Sequence, residues 1–592
     1  MLNTKILKRL KNVEKPSRYL CGEFNTPFIK IGENIIRNCF CFPDNYEVGS
    51  SHTGLKILYE IFNNQEFASC ERCFAPWFDF GNVLKEENEE LFSLETKTPL
   101  KEFDFLHFTF QYELSYTNLL YMLDLAHIPF YSIDRNSDYP IVIGGGPCSL
   151  NLEPIADFLD AVVIGDGEEV NIEIMKVYQK KLNKKEFLNE ISKIEGVYVP
   201  SLHHTHEENG LTIVEGKVNR TFVKNLDTAY FSIKPLVPNI EIVHDRASIE
   251  IFRGCSRGCR FCQAGFYYRP IRERSVEKIL ELSNKIINST GYSELSLLSL
   301  SSGDYSQIEP LIHKLKENFK DENVKLALPS LRLDSFEGAF TLESKKSSLT
   351  FAPEAGSQRL RDVINKNITE NDILDSLEKA FACGYDKIKL YFMIGLPTEQ
   401  QEDLEAIVDL AKKIQEKFKQ CGRGKKPFIT ISTSIFIPKP FTPFQWETHI
   451  ENNEALKKAN FLKTELSKIK VNYKYHEVNS SYLETVLARG DRKLGKLILE
   501  AYKLGCYFDG WSEFFQFDKW RKASDIAGIE MEKYTKSYDI NLSLPWDYID
   551  IGVSNEYFIN ERNKAMLGQT TKDCRLGCNL CGLQKTCSNI KQ

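Results

Sequence analysis

No apolar run in the chain reaches the roughly 18 residues that a membrane-spanning helix needs. The N-terminus, MLNTKILKRLKNVEKPSRY, is basic but has neither a sustained apolar region nor a small-residue cleavage site. That excludes a secretory signal and leaves a short capping helix. There is no low-complexity tract, and no long internal repeat beyond one cysteine phrase. Charge of one sign is scarce too. A net charge of −6 gives no global pull toward nucleic acid or an anionic membrane, although a local basic groove is compatible with it. These absences point to a cytoplasmic globular protein. At 592 residues it is too long for one core, so roughly three or four domains are expected.

Cysteine, by contrast, is plentiful, with 16 in all. A disulfide framework suits small secreted domains, not this chain, so spacing has to separate them. Six form two copies of C-x3-C-x2-C: Cys255, Cys259 and Cys262 in CSRGCRFC, and Cys574, Cys578 and Cys581 in CRLGCNLC. Cys587 follows the second copy. Cys21, Cys383 and Cys506 read as small apolar core residues. Cys70 and Cys73, in SCERCFAPW, make an isolated C-x2-C, a weak metal signal without a second pair.

Strand and helix patterns divide the chain. After an N-terminal cap (1–35), residues 36–185 alternate NIIRNCFCF, the amphipathic helix SHTGLKILYEIFNN, FDFLHFTFQY, the helix YTNLLYMLDLA, YPIVIGGGPCS and DAVVIGDGEE. Strand, glycine turn and helix in succession imply a doubly wound, Rossmann-like parallel sheet with an α/β architecture. Glycines at its strand ends would let a ligand approach the backbone. A connector, 186–244, carries VYVPS and LTIVEGKVNRTFV as strand candidates. Residues 245–450 then offer six apolar strands, ASIEIFRG, SELSLLSLSSG, VKLALPS, SLTFAPEAG, DKIKLYFMIGLP and FITISTSIFIPKP, with helices between. Six β/α units suggest a partial (β/α)6 TIM-type barrel with its chemistry at the strand C-terminal ends. Residues 451–592 read as an α-rich domain ending in the second cysteine copy.

The first copy follows a strand and is set among glycines. Three thiolates on a short loop can hold three irons of a [4Fe–4S] cube, and the missing fourth leaves one iron open. Zinc would need a fourth ligand, and none lies near. Arg253, Arg257 and Arg260 would lower the cost of an anionic cluster. The stretch resembles the motif of the radical SAM superfamily. There the open iron chelates S-adenosylmethionine, and a reduced cluster cleaves it to a 5′-deoxyadenosyl radical that abstracts hydrogen from a C–H bond. The resemblance covers about 200 residues. It implies adenine packing by Phe261, a methionyl amino contact from Ser302, Gly303 and Asp304 in SLSSGDYS, and ribose or carboxylate contacts from Glu354 and Arg359 in FAPEAGSQRLRDVINK. It also implies an adenine contact near Gly395 in YFMIGLPTE. An electron donor such as flavodoxin or ferredoxin is implied as partner.

The domain in front resembles that of the cobalamin-binding subclass, with Gly144, Gly145 and Gly146, then Gly165 and Gly167, as candidate cofactor contacts. The Asp-x-His-x-x-Gly phrase of many cobalamin domains is not matched; GSSHTGLK has the wrong spacing. His52 therefore reads as a polar residue at a loop–helix junction. Taken in order, FPDNYEVGSSHTGLKILY, ERCFAPWFD, FQYELSYTN, ARGDRKLG, FDGWSEFF and LPWDYIDIGVS are similar to one bacterial family of such proteins. The resemblance implies cobalamin-dependent methyl transfer to an unidentified substrate, a small molecule, RNA or protein. Radical rearrangement, cyclisation or sulfur insertion without methylation is the alternative.

The second copy follows a polar helical stretch rather than a strand. With Cys587 it offers four thiolates, which permit a closed site of zinc or of an auxiliary iron–sulfur cluster; free redox-active thiols are a third reading. Asp491, Arg492, Asp509, Trp511 and Glu513 are further candidates for a substrate site. A reading from another class, an RNA- or partner-binding factor, would need the arginines and aromatics of SRGCRFCQAGFYYRPIRERS exposed in a basic groove.

Overall fold

The computed structural model describes residues 4–327, 349–421 and 427–590. The N-terminal helix, Thr4–Leu10, buries Ile6 and Leu10 against the first domain as a cap. That domain is built on a six-stranded sheet. Its strands are β1 (Ile36–Phe42), β2 (Ala68–Phe74), β3 (Phe105–Thr109), β4 (Ile141–Gly145), β5 (Ala161–Val163) and β6 (Val197–Tyr198). Their order is β2-β1-β3-β4-β5-β6, and all pairs are parallel except β5–β6. Helices Thr53–Asn63, Tyr116–Leu125 and Val170–Tyr178 form between strands, as the apolar periodicity of their sequences requires. The order reverses direction between β1 and β3, which opens a crevice at the strand C-termini.

Two features of this sheet differ from expectation. VYVPS, placed in the connector, supplies β6, the antiparallel edge. SCERCFAPW, read only as a cysteine pair, supplies β2. Its polar text conceals a strand whose every residue is buried. Glu71 is met by Arg37 (2.8 Å), Ser93 (2.6 Å) and Thr96, and Arg72 by Glu95 (2.7 Å) and Glu23. Cys70 and Cys73 lie three residues apart on a strand and so point to opposite faces, into separate cores. They cannot share a metal.

The second domain carries β7 (Ala247–Glu250), β8 (Glu294–Leu298) and β9 (Lys325–Ala327) in one parallel sheet, then β10 (Leu349–Glu354), β11 (Lys387–Ile394), β12 (Phe428–Ile435) and β13 (Asn472–Tyr475) in another. The six expected strands are present, although residues 328–330 of VKLALPS lie outside the described residues. The sheet runs one unit further than expected. The helix Asn452–Lys468, read as the start of the C-terminal domain, instead leads into β13, which pairs with β12 in parallel. NYKY is too short and polar to announce itself as a strand. The remaining residues are largely helical, and they pack against the first domain as well as the second. The segment Ile549–Asp550 even pairs with Val218–Asn219 of the connector.

Candidate functional site

The C-terminal strand ends of both sheets meet around one cavity of about 420 Å³. The first sheet contributes Thr109, Gly144–Gly146 and Gly165–Glu168; the second contributes Glu250 and Leu298–Leu300. Arg253 and Gly254, directly before Cys255, complete the wall with Tyr267 and Tyr268. Glycine at two of these positions serves the chain rather than a ligand. At Gly146 (φ +92°) a Cβ would stand 2.7 Å from the Phe110 carbonyl, and at Gly165 (φ +116°) 2.0 Å from that of Thr221.

A knot of charge fixes the wall. Arg253 reaches Asp166 (3.1 Å), Glu168 (2.6 Å) and Glu250 (2.8 Å), and Arg272 reaches Asp166 (2.7 Å). Burial pushes the Asp166 carboxyl up, but Arg253 and Arg272 outweigh it and hold it below the usual range. Glu168, buried beside Asp166, is pushed up despite Arg253. Among the described residues, the wall acceptors Asn171 Oδ1 and Glu250 Oε2 have no hydrogen-bond partner. His52 caps the helix Thr53–Asn63, its Nδ1 accepting from the Leu55 N–H at 3.0 Å, and lines the cavity. Lost hydration lowers its pKa to about 4, so the ring is neutral at pH 7. His107, bonded to Asn38 at 3.0 Å, lines the cavity as well and is lowered to about 3 by burial.

Beyond Gly254 the chain turns through the first cysteine copy. Cys255, Cys259 and Cys262 are half-buried. The thiols sense one another: burial, then Cys259 and Cys255, push Cys262 up to about 12, against the opposing charge of Lys366. A cationic cluster iron would relieve that crowding by taking the thiolates as ligands. Among the described residues no three His, Cys, Asp or Glu side chains gather closely enough for a single metal ion. Three thiols without a fourth suit a cube with one open iron, whereas zinc wants four ligands in a closed site.

The arginines expected to neutralise this cluster are committed elsewhere. Arg253 serves the cavity wall, Arg257 pairs with Asp304 and with Asp573 (3.2 Å), and Arg260 pairs with Glu561 (3.1 Å). The cation that faces Cys262 is Lys366, itself 3.3 Å from Glu354. Nothing in DVINK marked it, because the fold alone brings it there. Phe261 packs on an apolar group containing Ala355, Met393, Leu396 and Phe436, beside Gly395 (φ +79°) at the end of β11. Ser302, Gly303 and Asp304 form a turn after β8. Ser302 Oγ donates to the Leu297 carbonyl at 3.1 Å, and the Asp304 carboxylate is engaged by Arg257. Glu354 ends β10 at φ +68°. Arg359 spends its hydrogen bonds on the Thr398 carbonyl (2.8 Å) and Asp403.

The second cysteine copy is not remote from the first. The Cys574 N–H donates to the Ser256 carbonyl at 3.1 Å, and Ser256 Oγ donates to Asp573 at 2.8 Å. Arg575 reaches Glu273 (2.7 Å) and the Asp304 carbonyl. Cys574, Cys581 and Cys587 are half-buried and Cys578 is exposed. Burial shifts Cys574 upward against Arg269, with Asp573, then Cys587 and Cys581, adding to the shift.

Other candidates have structural duties. Asp491 accepts from the Thr212 N–H (2.6 Å) and Tyr534 (2.8 Å), and Arg492 holds Glu153 (3.0 Å). Asp509 joins Thr117 (2.9 Å) to Trp520 (3.0 Å), and Trp511 donates to Asp44 (3.1 Å). Glu513 is exposed. These contacts tie the C-terminal region to the first domain. The arginines of SRGCRFCQAGFYYRPIRERS do not line a basic groove: Arg260, Arg269, Arg272 and Arg274 are buried and bond mainly to carbonyl groups. The nucleic-acid reading of that stretch fails on burial.

Residues 249–411 match the family described as Radical SAM superfamily, and residues 54–200 match Radical SAM proteins, N-terminal. An uncharacterized protein of Methanocaldococcus jannaschii is 31% identical over 70% of this chain and 84% of its own length. An uncharacterized methyltransferase of Pyrococcus horikoshii is 26% identical, over 50% of this chain and 60% of its own. A radical S-adenosylmethionine methyltransferase from Kitasatospora setae, solved with cobalamin and a [4Fe-4S] cluster, aligns over 67% of this chain and 72% of its own, with 12% identity and a TM-score of 0.45. With its three-cysteine loop at the strand ends, the two family matches and the 31% identical relative covered over 84% of its length, the chain belongs to the radical SAM superfamily.

Proposed function

We propose that the protein is a cobalamin-dependent radical SAM methyltransferase acting on an unidentified substrate. One observation carries this reading: the cavity is built from the strand ends of both sheets and runs to Gly254, next to Cys255. Cys255, Cys259 and Cys262 would hold the [4Fe–4S] cluster. Phe261, the Ser302–Asp304 turn, Glu354 and Gly395 would border S-adenosylmethionine. When bound, these groups supply a one-electron cleavage of S-adenosylmethionine and a carrier for its methyl group. The chain itself excludes water with Phe252, Tyr267 and Tyr268 and fixes the wall through Arg253.

Several lining groups support a corrin as the occupant. The unmatched acceptors Asn171 Oδ1 and Glu250 Oε2 would receive the N–H donors of its amide side groups. The neutral rings of His52 and His107 stand at the same wall. The Pyrococcus relative is named a methyltransferase, which favours this chemistry. Sulfur insertion is disfavoured, because no residue of the second cysteine copy lines the cavity.

Anaerobic reconstitution tests the reading. Wild type should cleave S-adenosylmethionine under reducing conditions and retain cobalamin through gel filtration. Cys255→Ala should retain cobalamin and lose cleavage. A wild-type protein that cleaves S-adenosylmethionine but never retains cobalamin would sink the methyl-transfer reading.

A further inference from the structure

We infer that the C-terminal cysteine loop is the electron-entry site of the enzyme. In this proposal Cys574, Cys578, Cys581 and Cys587 hold a second, closed iron–sulfur cluster that relays single electrons to the cluster of the first loop. The inference rests on the radical SAM reading of that first loop and adds to it a route for the electron.

Three observations support it. The first is how firmly the two loops are fastened. Besides the hydrogen bond from the Cys574 N–H to the Ser256 carbonyl, buried Asn365 joins them. Its Nδ2 donates to the Gly258 carbonyl at 3.1 Å and its Oδ1 accepts from the Thr571 N–H at 2.8 Å. Arg260 donates to the Gln569 carbonyl at 2.7 Å. On its far side, the Cys581 carbonyl accepts from the Ser554 N–H at 2.9 Å. Cys574 and Cys255 are thus linked through one hydrogen bond and the short stretch of backbone around Ser256. This is a tunnelling path, not a substrate path, because the cavity lies elsewhere.

The second is a buried cation with an unused donor. Arg269 is 4% exposed, and its Nη2 has no hydrogen-bond partner among the described residues. A Cβ on Gly258 of the first loop would be 3.2 Å from Nη2, and the guanidinium interacts with Tyr557 first and then with Cys581 and Cys574 of the second loop. A buried donor left unmatched is costly. Four neutral thiols would not repay it; an anionic cluster accepting N–H···S hydrogen bonds would, and such bonds also tune cluster potential.

The third is exposure. Cys578 is exposed between Leu576 (78%) and Leu580 (71%), with exposed Lys572 and Lys585 close by in the chain. Apolar residues standing in water beside a cofactor, rimmed by positive charge, suit an acidic one-electron carrier protein. The balance is simple. The carrier is oxidised by one electron, the second cluster is reduced and reoxidised in turn, and the first cluster ends one electron richer. No proton or bond is involved.

The test uses the full chain, reconstituted anaerobically. A Cys255→Ala/Cys259→Ala/Cys262→Ala variant should keep about four irons, all from the second site, a count that does not depend on what the first loop does in wild type. Cys574→Ser/Cys581→Ser, or Cys578→Ser alone if the pair misfolds, should keep the first cluster. Electron paramagnetic resonance of reduced wild type should show two magnetically coupled centres, and each variant one uncoupled centre. Reduction of the first cluster by flavodoxin hydroquinone should slow at least tenfold in the second-loop variant, while reduction by dithionite is unchanged. Zinc in place of iron, two uncoupled centres, or equal rates with flavodoxin would overturn the proposal. Loss of S-adenosylmethionine cleavage in wild type, with the second cluster intact, would instead overturn the radical SAM reading.

Discussion

The two cysteine loops share one spacing and differ in everything around it. The first emerges from a strand at the barrel mouth, with a cavity on one side and three cysteines to offer. The second emerges from the helix Asn555–Met566 and lies on the surface, with a fourth cysteine on the helix Gln584–Ile590. The ligand phrase therefore does not decide the chemistry. In the proposed reading an iron is left open where the loop lacks a fourth thiol and abuts a cavity that can hold a substrate. A closed site would arise where a fourth thiol is at hand and solvent lies outside. Contact between the loops turns two separate motifs into one unit.

The largest test of this contrast exchanges nothing but single thiols. Cys255→Ala should abolish S-adenosylmethionine cleavage, a loss of at least a thousandfold, because removing one of three ligands leaves the cluster unheld. Cys578→Ala should leave cleavage driven by dithionite within a few-fold of wild type. Equal losses in the two variants, measured as 5′-deoxyadenosine formed, would mean that both loops serve the bond-breaking step.

A smaller effect is expected from the fastening itself. Asn365→Ala removes the bridge between the Gly258 carbonyl and the Thr571 N–H and leaves both buried groups unmatched, costing about 1–3 kcal/mol locally. Because the lost contacts hold the C-terminal loop, hydrogen exchange should accelerate over residues 561–587 while β1–β5 keep wild-type protection. Uniform acceleration across the molecule would show that the side chain supports the fold generally rather than the junction.

That junction is also where the sequence was least legible. Both sheets, most of their strands and the first cysteine loop could be read from apolar periodicity and glycine turns, because those signals are local. β2 was hidden, since Glu71 and Arg72 are buried by pairing with residues far along the chain, and β13 was too short to mark. The neighbours of the first loop were misassigned for the same reason. Arg253, Arg257 and Arg260 stand beside the cysteines in sequence but are drawn to Glu168, Asp304 and Glu561, while Lys366, about 100 residues on, supplies the nearby charge. Ion pairs and loop docking depend on tertiary approach, which spacing does not encode.

The effect expected to leave the chemistry least disturbed lies away from both loops, in the C-terminal region that carries the second one. Asp509 is buried between Thr117 and Trp520, and burial raises its pKa to about 6 despite both hydrogen bonds. Unfolded, the same carboxyl titrates near 3.9. Between those values the folded state holds the extra proton, so its contribution to stability is full below about pH 4 and is lost as pH rises through about 6. Asp509→Asn stays neutral and can still accept from the indole. The variant should therefore gain on wild type as pH rises, by at most about 3 kcal/mol at pH 8, with no change in iron content or in 5′-deoxyadenosine yield. Urea unfolding of both proteins at pH 5 and pH 8 measures the difference. Parallel behaviour at the two pH values would mean that Asp509 keeps its charge when folded, stabilised by its two donors, and that the C-terminal region is attached to the first domain by an ionised carboxylate.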